Sequence, residues 1–140
     1  MKIIRISTEL ELSVHEFPEG NYSQQNHALR ELIGNGCSTY EHVMPKRLYT
    51  VLEMEDCPTE VPGECVSMLV DEDGLSKKIS INLMGSYLYE TDRHGSPIVG
   101  NVLFGGEELG DDGLDFCGIE ESVFRQLEGK LKNLIKDLKK

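Results

Sequence analysis

Between Phe124 and Leu138 the apolar residues fall at Phe124, Leu127, Leu131, Leu134, Ile135 and Leu138, the three- and four-residue steps of an amphipathic helix over about Ile119 to Leu138. A helix with so long an apolar stripe is not stable in water alone, so a second apolar face must cover it. Glu120 and Glu121 open the helix, and Lys136, Lys139 and Lys140 close it, the charge order that complements a helix macrodipole. At 140 residues the chain has the size of one ordinary domain, so residues 1–140 are expected to form one unit that covers the stripe with its own sheet. A second copy is the other outlet, which would make a homodimer through the C-terminal helix.

The sheet is legible upstream. Lys2 to Ser7 and Leu10 to Glu16 alternate apolar and polar residues and suit a hairpin with its turn near Thr8 and Glu9. Pro18, Gly20 and Asn21 break that pattern, and Ser23 is placed to cap a helix through Ile33 that stops at Gly34-Asn35-Gly36. Thr39 to Val43 and Arg47 to Glu53 are β-rich and read as another strand pair around Met44-Pro45-Lys46. Cys57 to Glu64, with Pro58, Pro62 and Gly63, reads as a loop. Cys65 to Val70 reads as a strand running into an Asp73-Gly74 turn. Ser80 to Glu90 reads as a short helix capped by Ser80, Arg93 to Pro97 as a loop that exposes His94, and Ile98 to Phe104 as a buried strand. The expected fold is α+β: a mixed or mainly antiparallel sheet of short strands with two or three helices on one face, the long amphipathic C-terminal helix among them.

Charge narrows the function classes. Fourteen Lys and Arg against 25 Asp and Glu leave −11, which argues against a conventional basic face and against direct nucleic-acid binding. The imbalance is patterned. Glu53 to Leu75 holds eight acids and no base, and Gly105 to Ser122 holds seven and no base. Arg125 to Lys140 holds six bases and two acids, so residues 1–124 carry eight bases against 23 acids, a balance of −15. Such runs are either a solvated surface that keeps a small protein soluble or a set of carboxylates spaced like phosphates.

The N-terminus breaks to Ser7-Thr8-Glu9 before an apolar leader region forms, and no run has the length of a membrane span, so a cytoplasmic, membrane-free protein is expected. Cys37, Cys57, Cys65 and Cys117 form no CxxC pair and are expected as reduced thiols, with neither metal nor cofactor implied. Asp111-Asp112-Gly113-Leu114-Asp115 departs from the EF-hand spacing and reads as an Asx-type turn rather than a calcium loop. No GxSxG, P-loop or HExxH pattern occurs, and Gly105-Gly106 reads as a turn, so no enzyme is expected.

Met68-Leu69-Val70-Asp71-Glu72-Asp73-Gly74-Leu75, followed by Ile81-Asn82-Leu83, Tyr87-Leu88-Tyr89 and Pro97-Ile98-Val99-Gly100-Asn101-Val102-Leu103-Phe104, resembles the phage and bacterial family labelled domain of unknown function 3846. The resemblance covers residues 1 to about 104, leaving 105–140 as an acidic loop and the final helix. What it implies is a setting, phages and other mobile elements, whose small acidic proteins often inhibit host defence in the anti-CRISPR or anti-restriction manner. Taken with the acidic runs, it leads to a non-enzymatic inhibitor that mimics nucleic acid and occupies a basic host nuclease or restriction enzyme. The expected contacts are Glu107, Glu108, Asp111, Asp112 and Asp115, supported by Asp71, Glu72 and Asp73. Two alternatives stay open: a module that sequesters a nucleotide signal, its pocket drawing on Arg30, Lys46, Arg47, Lys77, Lys78 and Arg93, and a plain interaction domain.

Overall fold

Ile3, Ile4 and Ile6 are all completely buried in β1 (Lys2–Ile6), and all seven residues of β4 (Cys65–Asp71) are buried. Successive side chains of a strand point to opposite faces, so burial of neighbours requires cover on both sides of the sheet. The computed structural model describes residues 1–54, 60–111 and 113–140. Cys57, Pro58, Asp112 and the side chain of His94 lie outside the described residues.

Among the described residues the sheet has six strands, all paired antiparallel, in the order β2 (Leu12–Glu16), β1, β5 (Val102–Gly110), β4 and β3 (Tyr40–Val43), with β6 (Gly113–Cys117) also paired to β5. One edge of β5 is divided between two strands: Val102 to Phe104 face β1, and Gly106 to Gly110 face β6. The α+β class and the antiparallel pairing follow the sequence reading; the placing of every helix on one face does not. On one face Ile4, Ile6, Val66, Met68, Val70, Val102 and Phe104 pack with α2 (Lys46–Val51), α3 (Leu83–Leu88) and α5 (Glu121–Leu138) through Leu48, Met84, Leu88, Leu127 and Leu131. On the other, Ile3, Leu69 and Leu103 pack under Leu29 and Ile33 of α1 (Tyr22–Ile33).

Local chemistry explains the element ends. Asn21, not Ser23, caps α1: its side chain accepts from the Gln24 amide while the Gln24 side chain accepts from the Asn21 amide, a capping box. In α5 the Glu120 carboxylate accepts from the Ser122 hydroxyl and from the amides of Ser122 and Val123, and these bonds, the hydroxyl's foremost, pull its pKa below the ordinary value. The buried side chain of Asn82 caps α3 by accepting from the Gly85 amide and donates to the carbonyls of Ile6 and Gly100, joining three segments.

Further expectations are corrected. Arg47 to Val51, expected as strand, are helical in α2, because Pro45 sets its N-terminus and Leu48 and the C-cap Leu52 at four-residue spacing fill the core, overriding the β preference of Tyr49-Thr50-Val51. The chain turns at Asp73-Gly74 as expected, into a short 3₁₀ segment (Gly74–Lys77), whereas Arg93 and His94, expected in a loop, belong to a single helical turn, α4 (Thr91–His94). Gly105-Gly106 lies mid-strand. A Cβ on Gly105 would stand 2.0 Å from the Phe116 ring, and one on Gly106 would stand 2.5 Å from the Gly118 carbonyl, so each glycine admits a close neighbour on its own face. The segment expected as an acidic loop is therefore the β5–β6 hairpin. Cys37 and Cys117 are free thiols as expected, whereas Cys65 is disulfide-bonded.

Candidate functional site

β4 pairs with β5 only as far as Glu107, and β1 only as far as Phe104, so Glu108–Gly110 and Gly113–Asp115 continue past both as a two-stranded ribbon. Its two faces differ by strand alternation. Glu108 lies opposite Asp115 on one, while Leu109 lies opposite Leu114 on the other, 63% and 43% exposed. Asp111 is exposed at the tip. Among the described residues no cation is paired with Glu108, Asp111 or Asp115. Directly opposed like charges on neighbouring strands are destabilising.

The eight expected contact residues are not brought together. Glu108, Asp111 and Asp115 cluster on the ribbon, and Asp112 lies outside the described residues. Glu72 and Asp73 are exposed but follow β4 at its far end, seven residues or about 20 Å from the ribbon side of the strand at ~3.3 Å per residue. Asp71 is buried, accepting a 2.7 Å hydrogen bond from Lys77 Nζ and another from the Asp73 amide. Glu107 is completely buried, so neither it nor Asp71 can touch a docked partner.

Glu107 instead belongs to a polar cluster on the α1 face, which sequence reasoning missed. The register sets His42 opposite Leu69, Ser67 opposite Gly105 and Glu107 opposite Cys65, so the three lie on diagonals of one face. His42 Nε2 is 2.7 Å from Ser67 Oγ and also in ion-pair contact with Glu107 Oε1. That contact lacks hydrogen-bonding alignment, and neither Glu107 oxygen accepts a hydrogen bond among the described residues. A nucleophile–base–acid relay uses the two ring nitrogens separately, one for the hydroxyl and one for the carboxylate. Here one nitrogen meets both. The ring of Phe116 lies over Gly105 and meets His42 edge-on at 5.6 Å between centroids, roofing the cluster. Burial, then the charge of Glu107, pushes the Tyr49 hydroxyl up to about 12, and it donates to the Val66 carbonyl. No local motif marks these residues, because three strands must pair before they meet.

The cluster borders a cleft of about 200 Å³ lined by Phe17, Tyr22, Asn26, Tyr40, His42 and Phe116, among others. The bases considered for a ligand pocket are scattered. Arg47 is bound to Asp92, Glu90 and the Tyr87 carbonyl and stacks on the Tyr87 ring at 4.7 Å; Lys77 is held by Asp71; Arg30 lines a neighbouring cleft with Tyr22 and Tyr40. Among the described residues no three His, Cys, Asp or Glu side chains gather as a metal site, and no helix is long and apolar enough to cross a membrane. No protein-family model, curated protein or solved structure matches the chain.

Proposed function

We propose that the chain is a non-enzymatic binding protein that inhibits a basic, nucleic-acid-handling host protein by docking its acidic hairpin where that protein holds phosphates. One observation carries this reading: Glu108 and Asp115 are opposed on a projecting ribbon, with Asp111 at its tip and no cation paired to any of them among the described residues. A basic partner turns that mutual repulsion into attraction and is drawn in by long-range steering. The setting, a phage or other mobile element, comes from the resemblance of residues 1–104, and a cytoplasmic site of action goes with it.

The test is inhibition of a panel of host nucleases and restriction enzymes, in competition with duplex DNA and at graded salt. The wild-type chain is expected to inhibit at least one enzyme, more weakly as salt rises. The double variant Asp111→Lys, Asp115→Lys should abolish that inhibition, whereas Glu72→Lys at the far end of the sheet should change it little. Unaltered inhibition by the hairpin variant, or none by the wild type on any enzyme, would overturn the reading.

A further inference from the structure

The cleft beside the buried cluster is aromatic without being basic. Phe17, Tyr22, Tyr40 and Phe116 bring four rings to it, with Phe17 and Phe116 6.1 Å apart between centroids and tilted at 48°. Among the described residues its lining includes Glu108 and Asp115 and no lysine or arginine. By strand alternation those two side chains start from the face of the ribbon opposite Phe116 and Leu114, so they border the cleft at its edge, where their charge bears on any guest. Closer in, the His42 ring that lines the cleft rests against Glu107, which is fully buried with no hydrogen bond to either oxygen among the described residues. Arg30 stands beyond Tyr22 and Asn26, in the next cleft along α1.

Aromatic faces carry the negative side of a quadrupole, so rings set beside carboxylates favour a cation over a neutral or anionic guest. Among cations a guanidinium suits these walls better than an ammonium. It is planar, it stacks on rings, and its donors spread in a fork. Asn26 Oδ1 already accepts from the Tyr40 hydroxyl and, as a carbonyl oxygen, has a second lone pair to offer; Gln25 brings another amide. The exposed Leu114 gives the aliphatic stem of an arginine an apolar surface to lie along. We infer that this cleft takes an arginine side chain from the basic partner that the acidic hairpin engages. The inference rests on the proposed function for the identity of the partner, and on the cleft's own rings and charges for the guest.

The test is a heteronuclear NMR titration of the full chain with N-acetyl-arginine N-methylamide, run beside the citrulline analogue, which has the same shape without the charge, and beside tetramethylammonium. Arginine should give saturable shifts at the rings of Phe17, Tyr22, Tyr40 and Phe116, and citrulline should give none. Tyr22 is 73% exposed, so Tyr22→Ala should fold normally and weaken arginine binding about two- to fivefold, the size of one exposed cation–π contact. Equal shifts from citrulline, shifts only outside the cleft, undiminished binding by Tyr22→Ala, or tighter binding of tetramethylammonium would each overturn the assignment. Running Asp111→Lys in both assays separates the two ideas. Arginine binding with inhibition retained would leave the cleft standing and sink the hairpin reading, and inhibition lost with no arginine bound would do the reverse.

Discussion

The two faces of the sheet are finished differently. Three helices seal one over a continuous apolar layer in which Phe104, Met68, Leu103's neighbour Val102 and the helix residues Leu127 and Leu131 reach zero exposure. A single helix covers the other, and its apolar contact ends at Leu29 and Ile33, leaving Ser67, His42 and Glu107 to be roofed by one ring, Phe116. The difference shows where this chain has traded packing for polarity. A buried carboxylate is weak evidence for stability, since desolvation offsets much of what its polar neighbours return. Its place beside an aromatic cleft is where a functional demand would act.

Substitutions should keep the faces apart. Phe104→Ala removes a ring that is completely buried in the sealed layer and should cost about 3–5 kcal/mol by urea denaturation. A loss below ~1 kcal/mol would mean that this face is no better packed than the other. On the polar face, His42→Ala leaves Glu107 buried without the ring nitrogen it rests against and should cost about 1–3 kcal/mol, with the double variant His42→Ala, Glu107→Gln recovering part of it. Additive effects in that cycle would show that the two side chains do not act as a pair. The smallest effect concerns the thiols. Burial first, then the charges of Glu108 and Glu107, raises the Cys117 thiol to about 12, whereas Cys37 is raised less and is partly exposed. At pH 8 only about one Cys117 thiol in ten thousand should be ionised, so iodoacetamide followed by peptide mapping should find Cys37 labelled well before Cys117. Equal labelling would show that the sealed side opens readily.

The elements that could be read from the sequence were those whose local pattern and tertiary role agree. The stripe of α5, the β1–β2 hairpin and the body of α1 are of that kind, because period and breakers point one way. The second covered face carried a signal that alternation alone obscures: the unbroken apolar run Met68-Leu69-Val70 and the pair Ile3-Ile4 mark burial on both sides. Residues 105–117 misled because paired glycines and dense carboxylates usually denote loops, whereas here the glycines clear space for Phe116 and for the Gly118 backbone within a strand. For the site, the acidic ribbon was visible as charge, but burial of Glu107 and Asp71 was not. That follows from register and from Lys77, which no single stretch of sequence contains.

The central position of β5 has a consequence for synthesis. Ile4 must pair with Phe104 and Leu69 with Leu103, so neither the β1–β2 hairpin nor the β3–β4 pair can complete the sheet until residues beyond 100 have left the ribosome. Until then the inner edges of β1 and β4 expose unpaired backbone groups and apolar side chains, the kind of surface on which nascent chains associate wrongly. With so many long-range pairings closing last, folding is expected to be late and slow for a domain of this size, and the chain's dependence on chaperones should be greatest just before β5 emerges.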